Sequence, residues 1–171
     1  MPVTSMQPSS NLARNVGWAA LALALGAVAA ASVIGQIATY PNLTTWYAGL
    51  AKPPFNPPDW VFAPVWTTLY ALMAFAVWRI LRMPSDTPGR AAALAAFFGQ
   101  LALNAAWSWM FFGANSALLG LVNIVPQLAL ILVTIVLFHR LDRIAAWCLA
   151  PLACWVAFAT LLNASVWWLN R

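Results

Sequence analysis

Five stretches of the chain run almost wholly apolar, over about 16–37, 60–81, 90–112, 116–138 and 144–169, with charges only at their ends. Each reaches the roughly 20 residues that a helix rising 1.5 Å per residue needs to cross a hydrocarbon core about 30 Å thick. The pattern predicts an all-α membrane protein, a bundle of five transmembrane helices in one membrane domain over 16–171, behind a short polar tail over 1–15. A cleaved signal peptide is the other reading of the first stretch. That stretch exceeds the usual apolar region of about 7–15 residues, so a span is favoured. Ala27, Ala31 and Gly35 recur in it every four positions, which suits close helix packing. Pro64, Pro126 and Pro151 fall inside spans, which membrane helices tolerate when neighbours satisfy the freed carbonyls. Asp59 is the expected N-cap of the second span. The segment 40–59 is the longest connection. Asn42 to Leu50 is expected to form a short interfacial helix. Pro53, Pro54, Pro57 and Pro58 then hold the chain extended, so that Trp46 and Tyr47 cover a site below.

At about 100° per residue the spans carry distinct faces. On the third, Phe97, Gln100, Asn104, Trp107 and Phe111 share one side, and Ala95, Gly99, Ala102 and Ala106 lie nearly opposite. The first face is expected to look into the bundle and the small one to meet a second copy. On the second span Phe62, Trp66, Tyr70, Met73 and Val77 form a stripe, and on the fifth Trp155, Ala159 and Asn163 form another. Ordinary bundle core accounts for such stripes as well as a ligand site does. Aromatic walls with a few convergent amides are also the usual form of a small-ligand pocket, here for a large planar molecule. Buried Trp N–H and Tyr O–H groups need acceptors, which Gln100, Asn104 and Asn163 can supply.

Composition sharpens this picture. The chain is 64% apolar and only 6% charged, so most of it cannot face water. Eleven Trp fit interfacial anchoring, an aromatic pocket, or both. The net charge of +5 is explained by topology, since no basic stripe or nucleic-acid motif accompanies it. Arg14, Arg79, Arg82, Arg90, Arg140 and Arg143 fall on one side of the predicted membrane, and Lys52 and Arg171 on the other. By the positive-inside rule the N-terminus is cytoplasmic, and the C-terminus and the proline loop lie outside. Without a charge in mid-span, an ion channel, proton relay or voltage sensor is disfavoured. Cys148 and Cys154 point to different faces of one helix and read as buried small hydrophobes. No metal-ligand spacing occurs. His139, beside Arg140 at a helix end, fits an interfacial position better than haem ligation.

Three runs resemble one family: WYAGLAKPPFNPPDWVFAPVWTTLY from Trp46 to Tyr70, QLALNAAWSWMFFG from Gln100 to Gly113, and PLACWVAFATLLNASVW from Pro151 to Trp167. They are similar to the translocator protein family, also called tryptophan-rich sensory proteins or peripheral benzodiazepine receptors. The resemblance implies five helices, frequent homodimers, and binding of porphyrins, sterols and isoquinoline- or benzodiazepine-type drugs. It makes Tyr47, Trp66, Tyr70, Asn104, Trp107, Trp155, Ala159 and Asn163 pocket residues. Phe55 stands where a Trp is common, Leu152 where an aromatic often follows the last proline. The C-terminal Val166 to Arg171 lacks the Tyr of the animal sterol motif, which weakens the sterol implication and suits a bacterial member. The first functional reading is a porphyrin- or haem-binding receptor needing no cofactor. The second is a light-dependent porphyrin-degrading enzyme using Trp66 and Trp155, since no acid–base pair, nucleophile or metal site is available. The third is a tetrapyrrole transporter. A bacterial cell membrane is the expected location, with an outer membrane as the family's alternative.

Overall fold

The computed structural model describes residues 9–171, with side chains from Gly17 onward. Residues 1–8 of the expected tail, and the side chain of Arg14, lie outside it. The described chain forms α1 (Ser9–Leu43), α2 (Asp59–Leu81), α3 (Arg90–Ser108), α4 (Ala117–Leu141) and α5 (Arg143–Leu169). A 3₁₀ turn over Tyr47–Gly49 follows α1, and a π turn over Trp109–Gly113 extends α3. Strands are absent among the described residues. All five helices are long and apolar enough to cross a membrane, in agreement with the sequence pattern.

The element ends show what local chemistry does. α1 starts before position 16 and runs past the expected end at 37, through Pro41 to Leu43. Side chains support this last part: Thr39 donates to the Gly35 carbonyl at 2.9 Å, Asn42 to Ala38 at 3.0 Å and Thr45 to Pro41 at 3.2 Å. The short interfacial helix expected over Asn42–Leu50 is therefore replaced by the end of α1 and one 3₁₀ turn. Asp59 is not the N-cap of α2. Pro58 holds that position without a side-chain bond, and Asp59 is the first helical residue, where its charge still suits the helix dipole. Ser116 caps α4 by accepting from the Leu119 amide, and Asp142 caps α5 by accepting from Ile144 and Ala145. Arg90 donates to the Ile80 and Leu81 carbonyls, closing the end of α2 from the start of α3.

The helices close into a ring. α1 packs on α2 and α3, α2 on α5, α5 on α4, and α4 on α3, while α2 and α3 meet only slightly across the ring. Alternating directions place Arg79, Arg82, Arg90, Arg140 and Arg143 at one end. There Arg79 pairs with Asp142 at 2.7 Å. The 40–59 loop, the α3–α4 turn and the C-terminus lie at the other. Outward faces carry exposed Leu23, Ile34, Val122, Val125, Leu132 and Leu161. Such a belt is costly in water and suited to lipid. The eleven Trp divide. Trp18, Trp60, Trp109, Trp147 and Trp168 are exposed near the ends of the apolar spans, as interfacial anchors are. Trp46, Trp66, Trp78, Trp107, Trp155 and Trp167 are partly buried.

Candidate functional site

Inside the ring the buried polar side chains come from α3, α4 and α5, and those of α3 and α5 meet the aromatic faces of the bundle. Gln100, Asn104 and Asn163 are 0%, 5% and 3% exposed. Two hydrogen bonds cross the ring's interior. Tyr70 on α2 donates to Asn104 Oδ1 on α3 at 3.0 Å, and Trp107 on α3 donates to Asn163 Oδ1 on α5 at 3.2 Å. Asn163 spends its own N–H on the Ala117 carbonyl at the start of α4, at 2.7 Å. Polar contacts between membrane helices contribute about 0.6–2 kcal/mol each, and these also fix ring orientation. Gln100 has no such partner. Its Nε2 lies 3.9 Å from Met73 Sδ, and its Oε1 is buried and unpaired.

Aromatic side chains gather around these amides in two groups. On the α2–α5 side, Trp66 lies 5.3 Å from Tyr70 in a tilted pair, and Phe62 meets Trp155 edge-on at 5.8 Å. Trp155 also touches Phe158 at 5.7 Å, which in turn meets Phe55 of the loop at 6.4 Å. Ala159 is a partly buried member of the same apolar cluster as Trp66, Tyr70 and Trp155. The second group sits under the loop. Trp46 is edge-on to Phe111 at 5.2 Å, Tyr47 to Phe112 at 5.5 Å, and Trp107 stacks on Phe111 at 4.9 Å. Trp107 belongs to both groups through Asn163 and Phe111. The loop thus meets the bundle twice, through exposed Phe55 against Phe158 on one side and through Trp46 with Tyr47 against buried Phe111 and Phe112 on the other.

The sequence-predicted residues are therefore brought together unevenly. Tyr70, Asn104, Trp107 and Asn163 are joined by hydrogen bonds, Trp66 touches Tyr70, and Phe62 meets Trp155, with Ala159 in the same cluster as Trp66 and Trp155. The ring partners of Trp46 and Tyr47 are Phe111 and Phe112. The π turn explains why both phenylalanines are buried: an extra residue in the turn, with the Ala114 N–H reaching the Trp109 carbonyl at 2.8 Å, turns Phe112 inward beside Phe111. Helical periodicity offers only Phe111. Asn123 and Gln127 of α4 are 5% and 2% exposed, and Asn123 Oδ1 is unpaired. Their four-residue spacing was a readable signal of one polar face within an otherwise apolar span.

The small face divides as well. Ala95 and Ala102 are exposed and Ala106 is half-buried, but a Cβ on Gly99 would lie 3.0 Å from Leu130 of α4 in the same chain. The electrostatics of the interior are neutral. In the loop above, burial raises the Tyr47 hydroxyl pKa, and the charge of Asp59 adds to this against the Asn56 hydrogen bond. Tyr47 is thus a neutral donor at neutral pH, 3.4 Å from Asn56 Oδ1, with Lys52 Nζ 4.3 Å above its ring. No cluster of three or more His, Cys, Asp or Glu able to hold a metal occurs among the described residues. Two surface grooves are lined by other residues, one between α4 and α5 at the arginine end and one between Lys52–Pro54 and the end of α5.

A model of the TspO/MBR family matches residues 14–169. The chain is 39% identical over 150 residues to the tryptophan-rich protein TspO of Chlorobaculum tepidum, covering 88% of this chain and 95% of that one. It is 33% identical over 156 residues to the tryptophan-rich sensory protein of Cereibacter sphaeroides, covering 91% and 94%. It is 40% identical over 125 residues to the human translocator protein, covering 71% and 73%.

Proposed function

The chain belongs to the TspO/MBR family and is an integral multi-pass membrane protein, and from that premise we propose that it is a receptor for porphyrins and related planar hydrophobic ligands. The observation that carries this reading is an uncharged aromatic set, Trp66 against Tyr70 and Phe62 against Trp155, joined to the buried amides through the Tyr70–Asn104 and Trp107–Asn163 hydrogen bonds. Flat rings stack and meet edge-on with such walls at about 0.5–1.5 kcal/mol per contact beyond area burial. Phe62, Trp66, Trp155 and Phe158 are all half-buried, so their edges reach the α2–α5 surface. A tetrapyrrole enters there by turning these rings aside, with Asn104 and Asn163 offering hydrogen bonds to its polar edge. The names carried by relatives, sensory and translocator proteins, agree with a ligand-responsive membrane protein.

Titration of the purified protein with protoporphyrin, followed by chromatography of the illuminated pigment, tests the reading. Trp66→Phe is expected to weaken binding modestly and Trp66→Ala more, with the pigment intact. If both variants fold and bind as the parent does, the site is misplaced. The Trp66–Tyr70 contact favours a second reading, since two oxidisable rings 5.3 Å apart suit electron transfer to an excited porphyrin. In that case Trp66→Phe binds yet loses light-dependent breakdown. Uptake into sealed vesicles separates a transporter from both.

The arginine-rich end is read as cytoplasmic. A C-terminal alkaline phosphatase fusion in an inner-membrane host is then active, and an inactive one reverses the orientation.

A further inference from the structure

Away from the aromatic interior, a groove of about 340 Å³ follows the seam between the last turns of α4 and the first turns of α5. Its volume lies within the range of about 300–1,000 Å³ typical of small-ligand sites. Ile135, Val136, Ala146 and Ala150 form its walls, and Trp147 stands beside them. His139 and Arg140 close its end. Val136 and Trp147 are 52% and 70% exposed on the outer face of the bundle, so the groove opens toward lipid and not toward the ring's interior.

The cations of this end are mostly occupied. Arg79 pairs with Asp142, Arg82 lies 4.8 Å over the Trp78 ring, and Arg90 donates to the carbonyls that end α2. Asp142, the carboxylate nearest Arg140 in sequence, is held by Arg79 and by the amides of Ile144 and Ala145. Arg79–Asp142 is the one ion pair among the described residues, so Arg140 and Arg143 both lack a carboxylate partner, and of these two only Arg140 lines the groove.

We propose that this groove binds an anionic phospholipid. One acyl chain lies along Ile135, Val136, Ala146 and Ala150, where it replaces poorly packed bulk lipid with fixed contacts. The phosphate meets Arg140 with His139 beside it. The Trp147 indole sits at the glycerol level, where amphipathic rings settle. A free anion would gain only the Arg140 contact and a neutral lipid only the groove. An anionic lipid gains both, and its charge matches this arginine-rich end. The bound molecule would then brace the α4–α5 seam from outside. This site is separate from the porphyrin site and does not depend on that reading.

The test is lipid retention by the whole protein in phosphatidylcholine nanodiscs doped with phosphatidylglycerol, followed by release into neutral detergent and native mass spectrometry. The wild-type protein is expected to keep phosphatidylglycerol in preference to phosphatidylcholine. Arg140→Gln is expected to reduce that retention roughly fivefold, the effect of one basic residue near the surface, whereas Arg143→Gln changes it little. Val136→Trp, which fills the groove and leaves every charge in place, abolishes it, with helical content checked by circular dichroism. Equal retention of the two lipids by the wild-type protein overturns the proposal and needs no variant. So does an Arg143→Gln effect as large as that of Arg140→Gln, which marks a diffuse surface charge. Competition by soluble glycerol phosphate as effective as that by the lipid points to a headgroup-only anion site and overturns it too.

Discussion

Gly120 shows how tightly the interior amides are held. A Cβ there would lie 2.7 Å from Asn163 Oδ1 and 2.7 Å from Phe111 Cδ2. Neither neighbour can retreat freely. Asn163 is held between the Ala117 carbonyl and the Trp107 indole, and Phe111 is stacked on Trp107. Gly120→Ala is therefore expected to destabilise by about 1–3 kcal/mol, as overpacking does. On the proposed function it is also expected to tilt Trp107 and weaken porphyrin binding. Thermal unfolding in detergent and a porphyrin titration check both effects, and an unchanged melting temperature means that α4 shifts freely. Little of this was legible in the sequence, where Gly120 is one small residue in an apolar run. The pairing of Trp and Tyr donors with Asn104 and Asn163 was legible, because a buried donor without an acceptor is costly and few acceptors existed. Which donor met which amide was not, since that depends on how three helices are rotated against one another. Gln100 illustrates the limit. It sits on the expected inward face, yet beside a thioether that leaves its carbonyl unpaired.

Helix ends and connections depend on contacts that a window of sequence does not contain. The five spans were readable from apolar runs alone, because hydrocarbon admits few alternatives for a single chain. The passage of α1 through Pro41 was not, since local rules end a helix near proline and here side chains of Thr39, Asn42 and Thr45 cover nearby carbonyls. The loop after it is fastened by Asn170, which sequence reasoning did not single out. Its side chain accepts from the Ala51 amide at 2.9 Å and donates to the Ala51 carbonyl at 2.9 Å, as a strand neighbour would. Asn170→Ala is expected to free the loop between its two aromatic footholds and raise the entropy cost of covering a ligand. Porphyrin affinity falls severalfold with the fold intact; unchanged affinity makes the loop a connector only. At the opposite end, Asp142 joins two elements. Burial alone would raise its carboxyl pKa, but the Arg79 hydrogen bond and the Ala145 and Ile144 amides outweigh this and hold it below the ordinary range. A depressed folded pKa means the unfolded chain takes up protons first as the pH falls. The contribution of Asp142 is thus fully present above about pH 4, the unfolded value, and is lost as the pH drops through the folded one. Asp142→Asn keeps an N-cap but loses the pair, so its stability falls less steeply below about pH 4 than that of the parent. Parallel slopes in acid unfolding curves would show that the pair does not carry the dependence.

The order of helices around the ring was beyond sequence reasoning, because each span has several faces that could be turned inward and the ring order α1–α2–α5–α4–α3 is decided by their joint packing. That order bears directly on assembly. The small face of α3 was expected as a whole to meet a second copy, but ring closure brings α4 against part of it. Gly99 faces Leu130 at 3.0 Å from the position of its missing Cβ, so Gly99→Leu would disturb the α3–α4 seam and report on folding. Ala95 and Ala102, two turns apart on α3, remain exposed, beside a half-buried Ala106. In lipid no hydrophobic force favours covering them, and small residues matter because they let backbones approach and gain dispersion contacts. If the homodimer that the family resemblance implies forms through α3, Ala95 and Ala102 are the part of this face still open to a second copy. Ala102→Leu is expected to hold two copies apart and shift the protein toward monomer, while leaving the melting temperature of the monomer and its porphyrin affinity nearly unchanged, since the side chain projects away from the interior amides. Light scattering of the detergent complex over a dilution series, with crosslinking in native membranes beside it, reads the change. A dimer that persists unweakened in both Ala95→Leu and Ala102→Leu moves the interface to another helix and leaves this face to the bilayer.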